Sequence, residues 1–313
     1  MARVSLAALL AGAPLAAAWG AAPAPGIWTR RAPSPTRRTE VAAAQVGGKI
    51  YVIGGFDQTG TVGTTEEYDP ATDAWRTRAP LPEPVNHAAA VGIGGRLFVV
   101  GGYGEGWAAV DAAWSYDPAA DRWERRAPVP TARGALAAAA IGGKVYAAGG
   151  MARGNTGALE VYDPATDRWE RRAPMPTPRD HHAAAEAGGR LYAIGGRLGG
   201  DYRRNLNATE EYDPATDRWR ARAPLPTARS GIAAAAWAGR ILVFGGEGPA
   251  GTFREVEEYD PAADRWHSLP PMPAGRHGLG AVAVGGRVYV VSGGPTPGSS
   301  FSDLNEVLAL DAR

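Results

Sequence analysis

Three ionisable side chains occupy one recurring position of this 313-residue sequence and could move protons. Glu40, His87 and His181 are each the third residue of a tripeptide that precedes an apolar, strand-like run. A carboxylate beside imidazoles is suited to general acid–base catalysis, and the same groups are common metal ligands. The equivalent positions elsewhere in the chain hold Ala135, Gly231 and Gly278. Because the residue type changes while its context recurs, we predict that this position lines a pocket.

Further candidates lie in variable segments that follow a series of glycine pairs. These segments bring aromatic rings and charges of both signs, the composition of a site for a polar or sugar-like ligand. The candidate ligand-binding residues in them are Tyr103, Trp107, Arg153, Arg197, Tyr202 and Glu247. Glu247 could share an acid–base role, and Arg153 or Arg197 could hold a ligand carboxylate through two parallel hydrogen bonds.

A metal ion is not expected at these residues, and no cofactor is predicted. Glu40, His87 and His181 come from three different repeats, so they would have to converge before they could share an ion. His181 and His182 are adjacent, and successive side chains of a strand point to opposite faces, so the two would not ligate one metal. The sequence has no cysteine, which removes thiolate metal sites, disulfides and thiol nucleophiles together.

The elements that must position these residues form a repeat with a period of 46–50 residues. A glycine pair after an apolar run begins at Gly54, Gly101, Gly149, Gly195, Gly245 and Gly293. A tryptophan recurs at Trp28, Trp75, Trp123, Trp169, Trp219 and Trp266. A Tyr-Asp-Pro triplet begins at Tyr68, Tyr116, Tyr162, Tyr212 and Tyr259. Three series locked to one period indicate a solenoid or a propeller.

Each repeat has the pattern of four short strands. In the first repeat these are residues 41–46, 49–53, 64–68 and 75–78, separated by Gly-Gly, a variable segment and an Asp-Pro-Ala-Thr-Asp turn. Four antiparallel strands per repeat predict an all-β, six-bladed β-propeller. The last repeat has only three such strands, and we predict that residues 28–33 supply its fourth and so close the ring.

The repeat resembles the Kelch repeat in its Gly-Gly doublet, its Tyr-Asp-Pro triplet and the tryptophan six residues after the aspartate. The resemblance covers about residues 26–313 and implies a propeller of Kelch type whose variable loop face binds partners. We therefore expect an exported binding protein that presents this face to a protein or glycan partner.

The alternative is an enzyme. A carbohydrate-active isomerase would resemble the exported sialic-acid mutarotases of Kelch type and would take a sugar-acid ligand. The Kelch copper oxidases that resemble galactose oxidase use a tyrosine crosslinked to cysteine. Because this chain has no cysteine, that chemistry is excluded.

Other repeated residues are interpreted as structural. An arginine two residues before the pocket position recurs in five of the six repeats, which favours a role in the fold. Acidic pairs such as Glu66-Glu67 recur with the blades and are interpreted as strand-surface residues. The glycine pair is expected to let an indole ring lie against bare backbone. In the last repeat, Leu310 is interpreted as the substitute for the repeated tyrosine.

The N-terminus has the pattern of a secretory signal peptide. Residues 1–20 carry one early cation, Arg3, followed by an apolar run and small residues. We expect a mature domain of residues 21–313 that is secreted or periplasmic, monomeric and without a membrane span. Lys+Arg 33 against Asp+Glu 32 leaves a net charge of +1, and the basic residues are scattered. A nucleic-acid partner is therefore not expected.

Overall fold

The computed structural model describes residues 26–310, so the predicted signal segment lies outside the described residues. Within this range the chain forms six four-stranded antiparallel sheets, with three two-stranded hairpins in the loops. The first strand of each sheet contacts the first strands of both neighbouring sheets, and the sixth sheet contacts the first. The six sheets are therefore the blades of a closed propeller, which confirms the predicted all-β, six-bladed fold.

The strand bounds follow the repeat. Blade 1 consists of Ala42–Val46, Lys49–Ile53, Thr65–Asp69 and Ala74–Arg78, and blade 2 of Ala89–Ile93, Arg96–Val100, Ala113–Asp117 and Arg122–Arg125. Blade 3 consists of Ala137–Ile141, Lys144–Ala148, Leu159–Asp163 and Arg168–Arg172, and blade 4 of Ala183–Ala187, Arg190–Ile194, Thr209–Asp213 and Arg218–Ala221. Blade 5 consists of Ala233–Trp237, Arg240–Phe244, Val256–Asp260 and Arg265–Leu269, and blade 6 of Gly280–Val284, Arg287–Val291, Asn305–Ala309 and Trp28–Arg30.

Shorter elements lie in the variable loops. The loop hairpins pair Phe56–Asp57 with Gly60–Thr61, Arg197–Leu198 with Asp201–Asn205, and Glu247–Gly248 with Gly251–Thr252. A single turn of 3-10 helix covers Glu105–Trp107. No helix within residues 26–310 has the length and apolar character needed to cross a membrane.

The two ends of the described chain share blade 6, as predicted. Trp28–Arg30 pairs antiparallel with Asn305–Ala309 and places Trp28 opposite Leu308. In the other blades the repeated tyrosine stands opposite the repeated tryptophan. Leu308 therefore takes the tyrosine position in blade 6, and the interpretation of Leu310 as that residue is wrong by two positions.

The glycine pairs serve contacts between backbones, and the expected packing of an indole against them is wrong. Gly54 has φ +62°, and a Cβ atom there would lie 2.3 Å from the carbonyl oxygen of Val85, which leads into the next blade. Any residue with a Cβ atom at this position would therefore clash with that carbonyl oxygen. In blade 6 the same two positions are Ser292 and Gly293, with φ of 56° and 99°, so the doublet read from the sequence lies one residue too late.

The repeated tryptophan, tyrosine and aspartate clamp adjacent blades together. The indole N–H of Trp169 in blade 3 donates to the carbonyl oxygen of Ala127, just after the last strand of blade 2, at 2.8 Å. All six repeated tryptophans make the equivalent bond. The hydroxyl of Tyr162 donates to Asp167, and the same carboxylate oxygen accepts the backbone N–H of Ala127. This part of the motif is therefore explained by the fold alone.

The recurrent arginines are structural, as predicted, but the acidic pairs are buried and not at the strand surface. Arg133 is fully buried, pairs with Glu160 at 2.5 Å, and donates to the carbonyl oxygens of Gly149 and Ala147. The equivalent pairs are Arg38–Glu66, Arg179–Glu210, Arg229–Glu257 and Arg276–Glu306. An acidic residue buried in this way is stable because its charge is compensated by the guanidinium.

Candidate functional site

A ring of backbone hydrogen bonds around the channel axis positions the candidate residues. We call the six residues at its corners the ring residues; they are Glu40, His87, Ala135, His181, Gly231 and Gly278. From His87 to Gly278, each donates its N–H to the carbonyl oxygen of the preceding ring residue, at 2.9–3.1 Å, and Val41 N–H closes the ring onto Gly278. All six have φ between 50° and 65°. In this left-handed region a non-glycine residue pays about 1–2 kcal/mol.

The side chains of Glu40, His87 and His181 converge from three blades, which their spacing in the sequence did not lead us to expect. One potential ligand atom from each lies within 4.8 Å of the others. Oε2 of Glu40 lies 3.3 Å from Nε2 of His87, and the rings of the two histidines stand edge to face with centroids 4.8 Å apart. The Glu40 side chain is 11% exposed and the two imidazoles 5% each. The three side chains therefore lie close enough together to contact one ligand or one ion.

Hydrogen bonds to oxygen acceptors set the tautomer of both imidazoles. Nδ1 of His87 lies 2.5 Å from Oδ1 of Asn86, whose Nδ2 donates to the carbonyl oxygen of Tyr103 and so fixes the amide orientation. Nδ1 of His181 lies 2.5 Å from Oδ1 of Asp180. Nδ1 therefore carries the hydrogen in both rings, and Nε2 is left available. Burial lowers the pKa of His87 to about 3, against the opposing charge of Glu40, so this ring is neutral at physiological pH.

His277 joins the cluster from blade 6 as its positive member. Its Nε2 donates to the carbonyl oxygen of Thr296 at 3.1 Å, and its Nδ1 lies 3.0 Å from Oε1 of Glu40. Burial opposes the charge of His277, but the hydrogen bond and charge of Glu40, together with Glu247, raise its pKa above the usual value. Burial likewise opposes the charge of Glu40, but His87 and His277 hold the pKa of this carboxyl well below its usual range. Nδ1 of His277 therefore carries the proton of this hydrogen bond, and the carboxylate of Glu40 accepts it.

Arg197 links this cluster to two further carboxylates. It is 7% exposed, donates to Oε1 of Glu247 at 2.6 Å, and its Nε lies 3.4 Å from Oδ1 of Asp180. Oε2 of Glu247 in turn lies 3.8 Å from Nδ1 of His277. A chain of charged contacts therefore runs around the channel from blade 4 through blades 5 and 6 to Glu40 in blade 1.

A cavity of about 530 Å³ opens beside this cluster on the face formed by the variable loops. Trp107, on its rim, is 61% exposed and has φ +63°, a rare conformation for so large a side chain. Its ring centroid lies 5.1 Å from that of Phe56 and 5.5 Å from that of His87. Charged and polar side chains in its lining are Glu40, His87, Arg197, Glu247 and His277, and the aromatic ones are Phe56, Trp107 and Phe301.

The structure places the nine predicted site residues in three groups. The cavity brings together Glu40, His87, Trp107, Arg197 and Glu247. His181 lines the narrower channel space that also contacts Glu40 and His87, and Tyr103 is buried with its hydroxyl donated to the carbonyl oxygen of Met151. Arg153 and Tyr202 lie outside this cavity, where Arg153 is exposed and Tyr202 contacts the guanidinium of Arg203.

Two functional groups, His277 and Asp180, were not among the predicted site residues. Both stand one position before a ring residue, where the six repeats hold Thr39, Asn86, Gly134, Asp180, Ser230 and His277. This position varies as much as the ring position does, and that variation was a usable signal. Phe301 lies in the variable segment that follows the glycine pair of the last repeat, so the signal that identified the other loop candidates applied to it as well.

The comparisons with known proteins agree with this architecture. A sequence profile described as the KLHDC2/KLHL20/DRC7 Kelch-repeats domain matches residues 26–150 and 135–313. No curated protein sequence matches the chain significantly. Among solved structures, that of YjhT superposes with a TM-score of 0.75 at 16% identity, over 87% of this chain and 95% of the other. At that identity the likeness shows a shared fold alone.

Proposed function

We propose, for a chain that belongs to the Kelch-repeat family, that the loop-face cavity binds a small polar ligand of the carbohydrate class. A Kelch propeller as such suggests protein binding. The observation that favours a small ligand is the cavity itself, because its 530 Å³ lies within the range of small-molecule sites, about 300–1,000 Å³. A flat protein partner would leave the buried charges at its base without contact.

The two sides of the cavity suit the two kinds of surface on a sugar ring. Trp107 and Phe56 offer aromatic faces against which the C–H face of a sugar can pack. Opposite them, Glu40, Arg197 and Glu247 offer acceptors and donors for hydroxyl groups or for a ligand carboxylate. These charged groups are held in place by one another, so little side-chain entropy is lost when a ligand binds.

A second candidate function, isomerisation of the bound sugar, is favoured by the hydrogen bond between Nδ1 of His277 and the carboxylate of Glu40. In mutarotation a base takes the proton of the anomeric hydroxyl, and an acid protonates the ring oxygen as the bond from that oxygen to the anomeric carbon breaks. Rotation of the open chain and the reverse transfers close the ring as the other anomer. Glu40 as base and His277 as acid, 3.0 Å apart, supply both transfers without net change of protonation.

The binding proposal is tested by titrating the protein with neutral sugars and sugar acids while Trp fluorescence and calorimetric heat are recorded. We expect Trp107→Ala to weaken binding of any hit by about tenfold or more, because a stacking contact is lost. Tyr202→Ala is the matched control, since it removes an aromatic ring from the same face outside the cavity. Equal losses in both variants, or no binding by any sugar, would contradict the proposal.

The isomerase candidate is tested by NMR exchange between anomers of a sugar that binds. We expect Glu40→Gln to abolish catalysed exchange even at sugar concentrations that saturate the variant, because the amide cannot take up the proton. Exchange that continues at the wild-type rate in this variant would remove Glu40 from the chemistry and leave the binding proposal intact.

A further inference from the structure

We propose that Glu40, His87 and His181 bind one divalent transition-metal ion, with Zn²⁺ as the best-suited ion, where the cavity meets the central channel. The site shares Glu40 and His87 with the carbohydrate cavity, but binding of the ion does not require a sugar. It reverses the expectation from the sequence, which rested on the three residues coming from three different repeats.

The first argument is the donor geometry. Two imidazoles and one carboxylate form the donor set of catalytic zinc sites and of other first-row transition metals. Oε2 of Glu40 and Nε2 of His87 lie 3.3 Å apart, which is about the edge of a tetrahedron built on metal–ligand bonds of about 2.0–2.1 Å. The ligand atom of His181 lies within 4.8 Å of both, so a small side-chain rotation brings it into coordination range.

The second argument is the support behind the ligands. Metal-binding histidines usually donate their other ring N–H to a carbonyl or carboxylate, which fixes the ring and makes it more basic. His87 makes this bond to Asn86, and His181 makes it to Asp180. Asp180 is itself held by the side chain of Asn155 and the backbone N–H of Gly200. Both imidazoles are therefore oriented as ligands before any ion binds.

The third argument is that the two carboxylate oxygens of Glu40 have different neighbours. His277 occupies Oε1 of this carboxylate, so Oε2 is the oxygen left for an ion. Around the three donors lie the carboxylates of Glu40, Asp180 and Glu247, opposed by Arg197 and by His277.

The fourth argument is access. The other three ring residues are Ala135, Gly231 and Gly278, and none can reach across the channel to fill a coordination position. Glu40 and His87 line both the cavity and the channel space. An ion held by three protein ligands therefore keeps a position open towards the cavity, as catalytic zinc sites do, where it can polarise an oxygen of a bound molecule.

The experiment uses the full chain, stripped with a chelator and titrated calorimetrically with Zn²⁺ alone. We expect one Zn²⁺ per chain, with affinity reduced about 100-fold or more in His87→Gln and His181→Gln because each removes a ligand. His267→Gln is the matched control, since His267 is exposed on the outer strand of blade 5 and affinity should not change. Titration with Co²⁺ should give the visible absorption bands of a four- or five-coordinate nitrogen and oxygen site.

A positioning variant guards against ligand variants that fail to fold. Asn86→Ser takes the residue that blade 5 has at the same position, Ser230, and removes the acceptor that orients His87. We expect this variant to stay folded, with a melting temperature lowered by loss of the bonds from Nδ2 of Asn86 to Thr61 and Tyr103, and to bind Zn²⁺ about 10–100-fold more weakly. No stoichiometric Zn²⁺ binding by the wild-type protein, or wild-type affinity in both His→Gln variants, would overturn the proposal. Sugar binding that persists in chelator would uphold the carbohydrate proposal whichever result Zn²⁺ gives.

Discussion

Removing one member of the buried pair Arg133–Glu160 should destabilise the propeller far more than removing both. Their side chains are 0% and 1% exposed, and Nη1 of Arg133 lies 2.5 Å from Oε2 of Glu160. Glu160→Gln leaves a buried guanidinium without a counter-charge, and Arg133→Val leaves a buried carboxylate. Stranding one charge of a buried pair costs about 3–5 kcal/mol. Each single change should therefore remove a large part of a total stability of about 5–15 kcal/mol.

The chain itself supplies the template for the double change. In blade 2 the position of the arginine is Val85 and the position of its glutamate partner is Trp114, so an apolar pair replaces both charges at once. The variant Arg133→Val/Glu160→Trp copies this pair into blade 3. It strands no charge, although Gly149 and Ala147 lose the donor to their carbonyl oxygens. We expect a coupling free energy of at least about 2 kcal/mol in favour of the double variant.

The measurement is equilibrium unfolding in urea, monitored by far-UV circular dichroism. Urea is uncharged and leaves charge interactions unscreened. The control is Glu170→Gln, which breaks the exposed pair with Arg172, where the side chains are 61% and 32% exposed. That change should alter the free energy of unfolding by no more than about 1 kcal/mol. Single variants as stable as this control, or a double variant whose loss equals the sum of the single losses, would refute the account of the buried pairs.

Three further predictions concern the frame around the site. Burial lowers the pKa of His182 to about 3 from a usual value near 6.5. Blades 3 and 6 have leucine at this position, and His182→Leu should reduce the loss of folding stability that acid causes. The unfolded chain takes up the proton first, so this histidine costs stability as pH falls from about 6.5 to 3; the drop in urea midpoint from pH 7 to pH 5 should be smaller in His182→Leu than in the wild type. Deleting residues 26–33 removes the closing strand Trp28–Arg30 and should lower the melting temperature; an unchanged value would contradict the closure. Gly54→Ala should lose more stability than Gly47→Ala in thermal melts, since both have positive φ but only Gly54 faces a backbone oxygen at 2.3 Å.

The fold was predictable from the sequence because a propeller repeats the same local requirements six times. The tryptophan, the Tyr-Asp-Pro triplet and the buried arginine each have a partner within one blade or in the next, so their spacing along the chain reports their role directly. The reason for the glycine pair was not predictable. It depends on a carbonyl oxygen of the neighbouring blade, and only the distance from Gly54 to Val85 reveals that contact.

The residues of the candidate cavity were only partly predictable from the sequence, which pointed to Glu40 and His87 but not to His277, and their geometry was not predictable. The changing residue type at the ring position identified Glu40, His87 and His181, but whether they meet depends on a left-handed backbone at each, with φ of 52°, 53° and 50°. Histidine and glutamate give no local signal for that conformation, which the hydrogen bonds between blades impose. The role of His277 was not predictable either, because its partner Glu40 is 237 residues away along the chain.

The asymmetry of the ring is itself an argument that the three ionisable residues are there for function. A ring of six glycines would satisfy the backbone without strain, yet three positions carry a carboxylate or an imidazole at a cost of about 1–2 kcal/mol each. Of the two glycines in the ring, Gly278 faces one of these side chains. A Cβ atom at Gly278 would lie 2.5 Å from Cδ of Glu40, so the carboxylate occupies the space that a side chain at 278 would need. The ring thus has strained residues with side chains on one side and glycines on the other. This arrangement leaves one face of Glu40, His87 and His181 open to the cavity and the channel.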